Sequence, residues 1–244
     1  MRGAQNCSTA VMQRRLRDDV PDQLDYFPTP PWATRALCEF LIERCSEPLD
    51  MFRAWEPACG EGHMARPLAE YFESVTATDV YRYGDDHGIY DFLGDAPRYC
   101  EADWIITNPP YNVGARFVEK ALTRARRGVA MFVRSAFTEG ESRYPDLFAP
   151  PVAPAYVLTF SERVPLLKGR LIRKGAPDPF NLDEDGKPRK VSSATSYAWI
   201  VWMPGCHDTR HRWIAPGTFK RLDRPGDYPA YALPLSTAME GSLL

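Results

Sequence analysis

The chain has 244 residues, 44% hydrophobic and 25% charged, which suits one α/β domain with additions and excludes a disordered, collagen-like or disulfide-scaffold chain. No apolar run approaches the roughly 20 residues that cross a bilayer, and the N-terminus lacks the apolar centre of a secretory signal. The formal net charge is −2, so a polyanionic partner such as DNA needs a local basic patch.

Residues 1–22 are polar and mixed in charge, and read as a mobile arm. Phe27-Pro28-Thr29-Pro30-Pro31 follows, a stiff extended segment, because each proline fixes its own φ and restricts its predecessor. Apolar periodicity then predicts helices over 34–45, 62–72 and 115–126, with strands over 52–56, 74–79, 104–107, 128–133, 154–160 and 197–203. Strands alternating with helices imply a parallel sheet covered on both faces. The stretch 163–190 breaks this rhythm. It holds eight basic residues (Arg163, Lys168, Arg170, Arg173, Lys174, Lys187, Arg189, Lys190) against four acids. Two strands flanking it predict an extended hairpin at the sheet edge, with a basic loop over 163–195. Residues 204–244 read as a weakly periodic tail.

The six cysteines are scattered, with no C-x-x-C pair, and fit free thiols in a reducing, cytoplasmic setting. Cys206-His207 with His211 lacks a second ligand pair, so no metal site is expected.

Three short motifs carry the chemistry. Glu56-Pro57-Ala58-Cys59-Gly60-Glu61-Gly62 falls between a predicted strand and a predicted helix, where small residues let a ligand approach the backbone. Asp79 ends the next strand, placed to accept hydrogen bonds from ribose hydroxyls. Asn108-Pro109-Pro110-Tyr111 ends the 104–107 strand. Two prolines remove two backbone donors there, leaving a carbonyl-rich corner beside an aromatic ring. Such a corner suits a planar amino group, which donates two hydrogen bonds in its plane while a ring covers its face. The plain alternatives are a glycine turn, a helix cap and a proline-rich turn.

With these residues in hand, the sequence resembles the class I S-adenosylmethionine-dependent amino-methyltransferases, most of all the DNA adenine-N6 enzymes. The resemblance spans about residues 24–203. It implies a Rossmann-like, mostly parallel seven-stranded sheet and a catalytic domain over 23–203. Phe27, Thr29 and Pro30 match the family's N-terminal cofactor motif. Glu56, Ala58, Cys59 and Gly60 match its glycine loop, Asp79 and Val80 its ribose site, and Asp91 and Phe92 its adenine site. Asn108, Pro109, Pro110 and Tyr111 match the catalytic tetrapeptide. Asn108 lies only 16 positions after Phe92, too close for an inserted recognition domain. Lys168, Arg170, Arg173 and Lys174 are therefore the expected DNA contacts. A homodimer or a separate specificity subunit would supply further grip. The same tetrapeptide serves RNA-base, cytosine-N4 and protein-glutamine methyltransferases. The glutamine enzymes lack the Phe27 segment and carry an N-terminal helical domain, for which this chain leaves no room. A non-catalytic cofactor-binding subunit is the remaining alternative.

Overall fold

A computed structural model describes residues 25–97, 99–206 and 208–231. The expected arm over 1–22, His207 and residues 232–244 lie outside them.

Helix α1 (Pro31–Cys45) opens with Pro31 in its first turn, where a missing N–H costs nothing. It ends at Ser46, whose left-handed backbone (φ 55°) returns its N–H to the Leu41 carbonyl. Strand β1 (Arg53–Glu56) leads to α2 (Ala65–Leu68), one turn where the periodicity predicts eleven residues. Bonds run from Arg66 N–H to Gly62 O and from Leu68 N–H to Met64 O, but the chain then tightens, with Glu70 N–H bonding Pro67 O and Tyr71 N–H bonding Leu68 O.

Strands β2 (Ser74–Asp79), β3 (Gly88–Ile89) and β4 (Ala102–Thr107) follow. Helix α3 (Gly114–Leu122) precedes β5 (Ala125–Arg134), then come β6 (Tyr156–Phe160), β7 (Pro177–Leu182), β8 (Pro188–Lys190), β9 (Tyr197–Trp202), β10 (Arg210–Ile214) and α4 (Thr218–Leu222).

The main sheet has eight strands in the order β10-β6-β9-β5-β4-β1-β2-β3, parallel except for β9, which runs antiparallel to both neighbours. This corrects the expected seven. The chain after residue 203, read as a tail, returns as β10 and pairs in parallel with β6. The β6–β9 hairpin is therefore interior rather than at the edge. The signal was weak because four of the five β10 residues are exposed, leaving no apolar alternation to read.

Alternation along each strand divides two cores. Trp104, Ile106, Ala130, Phe132, Trp199 and Val201 face α1, α2 and α4. Trp55, Ile105, Val129, Met131, Ile200 and Trp202 face α3 and Leu147. Two of the buried indoles have partners for their donors: Trp199 Nε1 donates to Ala33 O at 2.9 Å and Trp55 Nε1 to Thr78 Oγ1 at 2.9 Å. Gly128 is required, since any Cβ there would enter the Trp104 ring.

Arg35, buried on α1, locks the C-terminal part onto the sheet. Its guanidinium donates to both oxygens of Glu70, both oxygens of Asp227 and the Leu222 carbonyl, at 2.7–2.8 Å. The segment between β6 and β9 forms a separate two-stranded ribbon, β7–β8, over a small cluster of Leu167, Ile172, Val191 and Phe180. No described helix is long and apolar enough to cross a membrane.

Candidate active site

The parallel strands end on one side of the sheet, and a cleft opens there above β1, β2 and β4. It encloses about 1000 Å³, open solvent at its mouth included, which accommodates a nucleoside with an amino-acid arm. Eleven of the fifteen candidate cofactor and catalytic residues line it: Phe27, Thr29, Glu56, Ala58, Cys59, Asp79, Val80, Asp91, Phe92, Asn108 and Pro110. Four do not: Pro30, Gly60, Pro109 and Tyr111.

Gly60 acts from behind the wall. Its backbone is left-handed (φ +54°), and the Tyr26 ring occupies the space a Cβ would need. The turn aims Gly60 N–H at Asp79 Oδ2 (2.8 Å), while Tyr81 N–H reaches Asp79 Oδ1 (3.1 Å). Two donors thus fix the carboxylate at the end of β2, and it keeps lone pairs for a ligand hydroxyl. Burial pushes Asp79 above the ordinary carboxylate range, opposed by those two N–H groups.

Glu56, at the end of β1, is 2% exposed, and its Oε2 has no hydrogen-bond partner. Burial raises its pKa well above the usual value, and the nearby Asp79 charge raises it further. Thr29 Oγ1 is likewise buried without a partner. Asp91 is exposed at the rim, where its Oδ1 accepts the Leu93 N–H at 2.9 Å. Phe92 below it is buried against Trp55 and Phe117, with ring centres 5.2 and 5.0 Å apart.

Asn108 begins the turn after β4. Its Nδ2 donates to the Phe27 carbonyl at 2.8 Å, and its Oδ1 is buried with no partner. The proline-stiffened segment therefore fixes the amide so that only an acceptor is left over. Val113 N–H closes onto the Pro110 carbonyl (3.1 Å), making one tight turn over Tyr111–Val113. That turn carries Tyr111 off the cleft wall and brings Asn112 and Val113 onto it. Tyr111 packs against Phe27 (ring centres 5.1 Å), donates its hydroxyl to Tyr197 Oη (3.3 Å) and lies 4.2 Å beneath the Arg134 guanidinium carbon. Burial raises its phenol well above the ordinary value, with Tyr197 adding to the effect.

The basic segment is arranged differently from its expected use. Arg170 is buried and donates to Asp178 Oδ2 at 2.7 Å, with both side chains at most 2% exposed. It holds the ribbon together and is corrected from a DNA contact to a structural cation, since an enclosed guanidinium cannot meet a phosphate. Arg173 pairs with Asp223 (2.6 Å) and Lys174 with Glu162 (2.8 Å). Lys168 is half-buried beside Gly169, whose N–H donates to the Tyr26 carbonyl at 2.9 Å.

Sequence reasoning missed Tyr83, Tyr90, His63 and Phe117, which also line the cleft. Tyr83 and Tyr90 sit in irregular chain around β3 with no periodic signal. Tyr26, stacked on Tyr83 with centres 4.6 Å apart, adjoins the Phe27 motif and was findable from it.

No protein-family model matches the chain, and no curated protein matches it. Solved structures do. A Pyrococcus horikoshii protein named as an RNA methyltransferase superposes with a TM-score of 0.52 at 13% identity, covering 80% of this chain and 95% of that one. A type I restriction-modification methyltransferase subunit from Streptococcus thermophilus superposes with a TM-score of 0.56 at 10% identity, covering 85% of this chain. The match spans 50% of that subunit's length. At these identities the likeness is one of fold: the chain has the Rossmann-like α/β architecture found in both methyltransferases.

Proposed function

We propose that the chain transfers a methyl group from S-adenosylmethionine to the exocyclic N6 of an adenine in DNA. The observation that carries this reading is the bare Asn108 Oδ1, fixed by the Phe27 carbonyl at the inner wall of the cleft.

The cleft fits the cofactor. Asp79 has spare lone pairs for ribose hydroxyls, Asp91 and Phe92 flank a space for a purine, and the partnerless Glu56 Oε2 and Thr29 Oγ1 await polar groups. When bound, the cofactor supplies an electrophilic methyl group on a sulfonium.

Asn108 Oδ1 and the Pro109 carbonyl accept the two N6 hydrogens of the substrate base. Those bonds favour a pyramidal nitrogen and free its lone pair from the ring for the methyl carbon, and once the methyl's bond to sulfur has broken, the surplus N6 proton, held by these two oxygens, passes to water. Tyr111 stacks on the base, which must leave the duplex because its amino group is inaccessible inside it. The rate enhancement comes from positioning and fixed dipoles rather than from a strong base. The segment between β6 and β9 meets the Phe27 side of the cleft where Gly169 N–H donates to the Tyr26 carbonyl, and Lys168 beside it belongs to the nucleic-acid face, whereas Arg173 and Lys174 are already paired with Asp223 and Glu162.

A labelled-methyl assay on duplex DNA, RNA and protein tests the reading. Label in N6-methyladenine of DNA supports it. Label in RNA, in cytosine or in glutamine alone overturns the substrate, and no transfer to any of them overturns the activity.

A further inference from the structure

Arg134 ends β5 at the sheet edge that carries the catalytic tetrapeptide, paired in register with Tyr197 of β9. Its guanidinium stands over Tyr111 with the carbon 4.2 Å from the ring centre. Among the described residues no carboxylate pairs with it, and its Nε is buried with no hydrogen-bond partner. The next residue, Ser135, also keeps a buried hydroxyl with no partner. The guanidinium has the Tyr111 phenol beside it but no counter-charge, and a partly enclosed cation without one, next in the chain to an unsatisfied hydroxyl, is costly unless a ligand completes it.

The basic segment contributes a second cation to the same place. Arg163 is exposed, and it donates to Ser196 Oγ and to the Ala194 carbonyl. The Ser196 carbonyl in turn accepts the Ser135 N–H at 2.9 Å. No carboxylate pairs with Arg163 among the described residues. In contrast, Arg170, Arg173 and Lys174 each have their own acid.

We infer that Arg134, Ser135 and Arg163 form the binding site for the DNA phosphates that flank the extruded base, with Arg134 as the substrate-binding residue nearest the reaction. The inference rests on the DNA reading above. Guanidinium–phosphate bonds are charge-assisted and forked, whereas stacking of a guanidinium on a ring is weaker and readily exchanged. Arg134 therefore holds Tyr111 in place without substrate and moves to the phosphate when a base takes over the ring face. The site distinguishes a nucleic-acid strand from a free nucleoside or a glutamine side chain, which bring no phosphodiester.

The test uses the full chain, a labelled oligodeoxyadenylate as probe, and the variants R134Q, R134K and R163Q. Each phosphate contact contributes about 0.7 to the slope of log affinity against log salt for a single strand. R134Q and R163Q are each expected to lower that slope by about this amount and to weaken binding about tenfold at low salt. R134K keeps the slope, and cofactor affinity stays at the wild-type value in all three. An unchanged slope in R134Q, with wild-type protein methylating DNA, overturns the phosphate site and leaves the proposed activity standing. Loss of cofactor affinity in R134K as well as R134Q assigns the residue a structural role and also overturns it. Wild-type protein that neither binds the strand nor methylates DNA overturns the activity itself.

Discussion

Asn108 Nδ2 donates to the carbonyl of Phe27, 81 residues earlier, at 2.8 Å, and this one bond leaves the other end of the amide, Oδ1, buried without a partner. On the function proposed above, that acceptor is the one that meets the substrate amine. Removing the amide removes the acceptor. N108A is expected to lower kcat about 10²–10³-fold, the range for loss of one fixed polar group at a reacting centre, with cofactor affinity largely preserved. Single-turnover methyl transfer and calorimetric titration of S-adenosylmethionine measure the two quantities separately. Equal losses in both would make Asn108 a cofactor ligand instead.

Gly60 combines a left-handed backbone with a contact that leaves no room for a Cβ. G60A is expected to cost about 1–2 kcal/mol in stability from the backbone alone. It also displaces the N–H that holds Asp79, so cofactor affinity falls further than the melting temperature would suggest. Thermal melts with and without cofactor check this, because the cofactor-induced rise in Tm shrinks.

Glu56 and Asp79 both titrate above the ordinary carboxylate range, chiefly through burial. Protons are therefore bound more tightly in the folded than in the unfolded chain. Stability from these groups is fully present below the unfolded carboxylate value and is lost as pH rises through the folded values. E56Q should flatten that decline and melt higher than wild type at neutral pH, in the absence of cofactor. The difference closes when both are melted below the ordinary carboxylate range. A wild-type Tm independent of pH across this window contradicts the prediction.

Arg35 is nearly enclosed by two carboxylates and a carbonyl drawn from two separate parts of the chain, Glu70 after α2 and the Leu222–Asp227 segment. R35M leaves Glu70 and Asp227 without their shared cation, so it should destabilise by about 3–5 kcal/mol, as breaking a buried pair does. Denaturant unfolding measures the loss. Native-state hydrogen exchange should show β10 and α4 opening first, since Asp227 is the tie that follows them.

The main architecture was legible because the strands that bury both faces have strong apolar patterns: 104–107, 128–133 and 197–203 each reappear within a few residues as β4, β5 and β9. Helix α2 was overestimated because Leu68 and Phe72 keep a helical spacing while the intervening turn tightens, with Glu70 N–H bonding Pro67 O and Tyr71 N–H bonding Leu68 O. Strand β10 was invisible because it exposes Arg210, His211, Arg212 and Trp213 and is held by backbone pairing to β6. The strand ends were legible, since Glu56, Asp79 and Asn108 stand where β1, β2 and β4 finish, and chain order alone places them there. The basic segment was read poorly. A count of charges does not say which cations have an acid of their own, and Arg170 with Asp178 only meet once the ribbon folds.

The ribbon leaves the sheet after Phe160 and re-enters at Tyr197, two points on adjacent antiparallel strands. Whatever lies between them can lengthen, shorten or be exchanged without shifting the register of any other strand. Doubling such an excursion costs only about 0.6 kcal/mol of closure entropy. The fold thus offers a cassette port, where an excursion can be exchanged while the strand ends that frame the cleft keep their places.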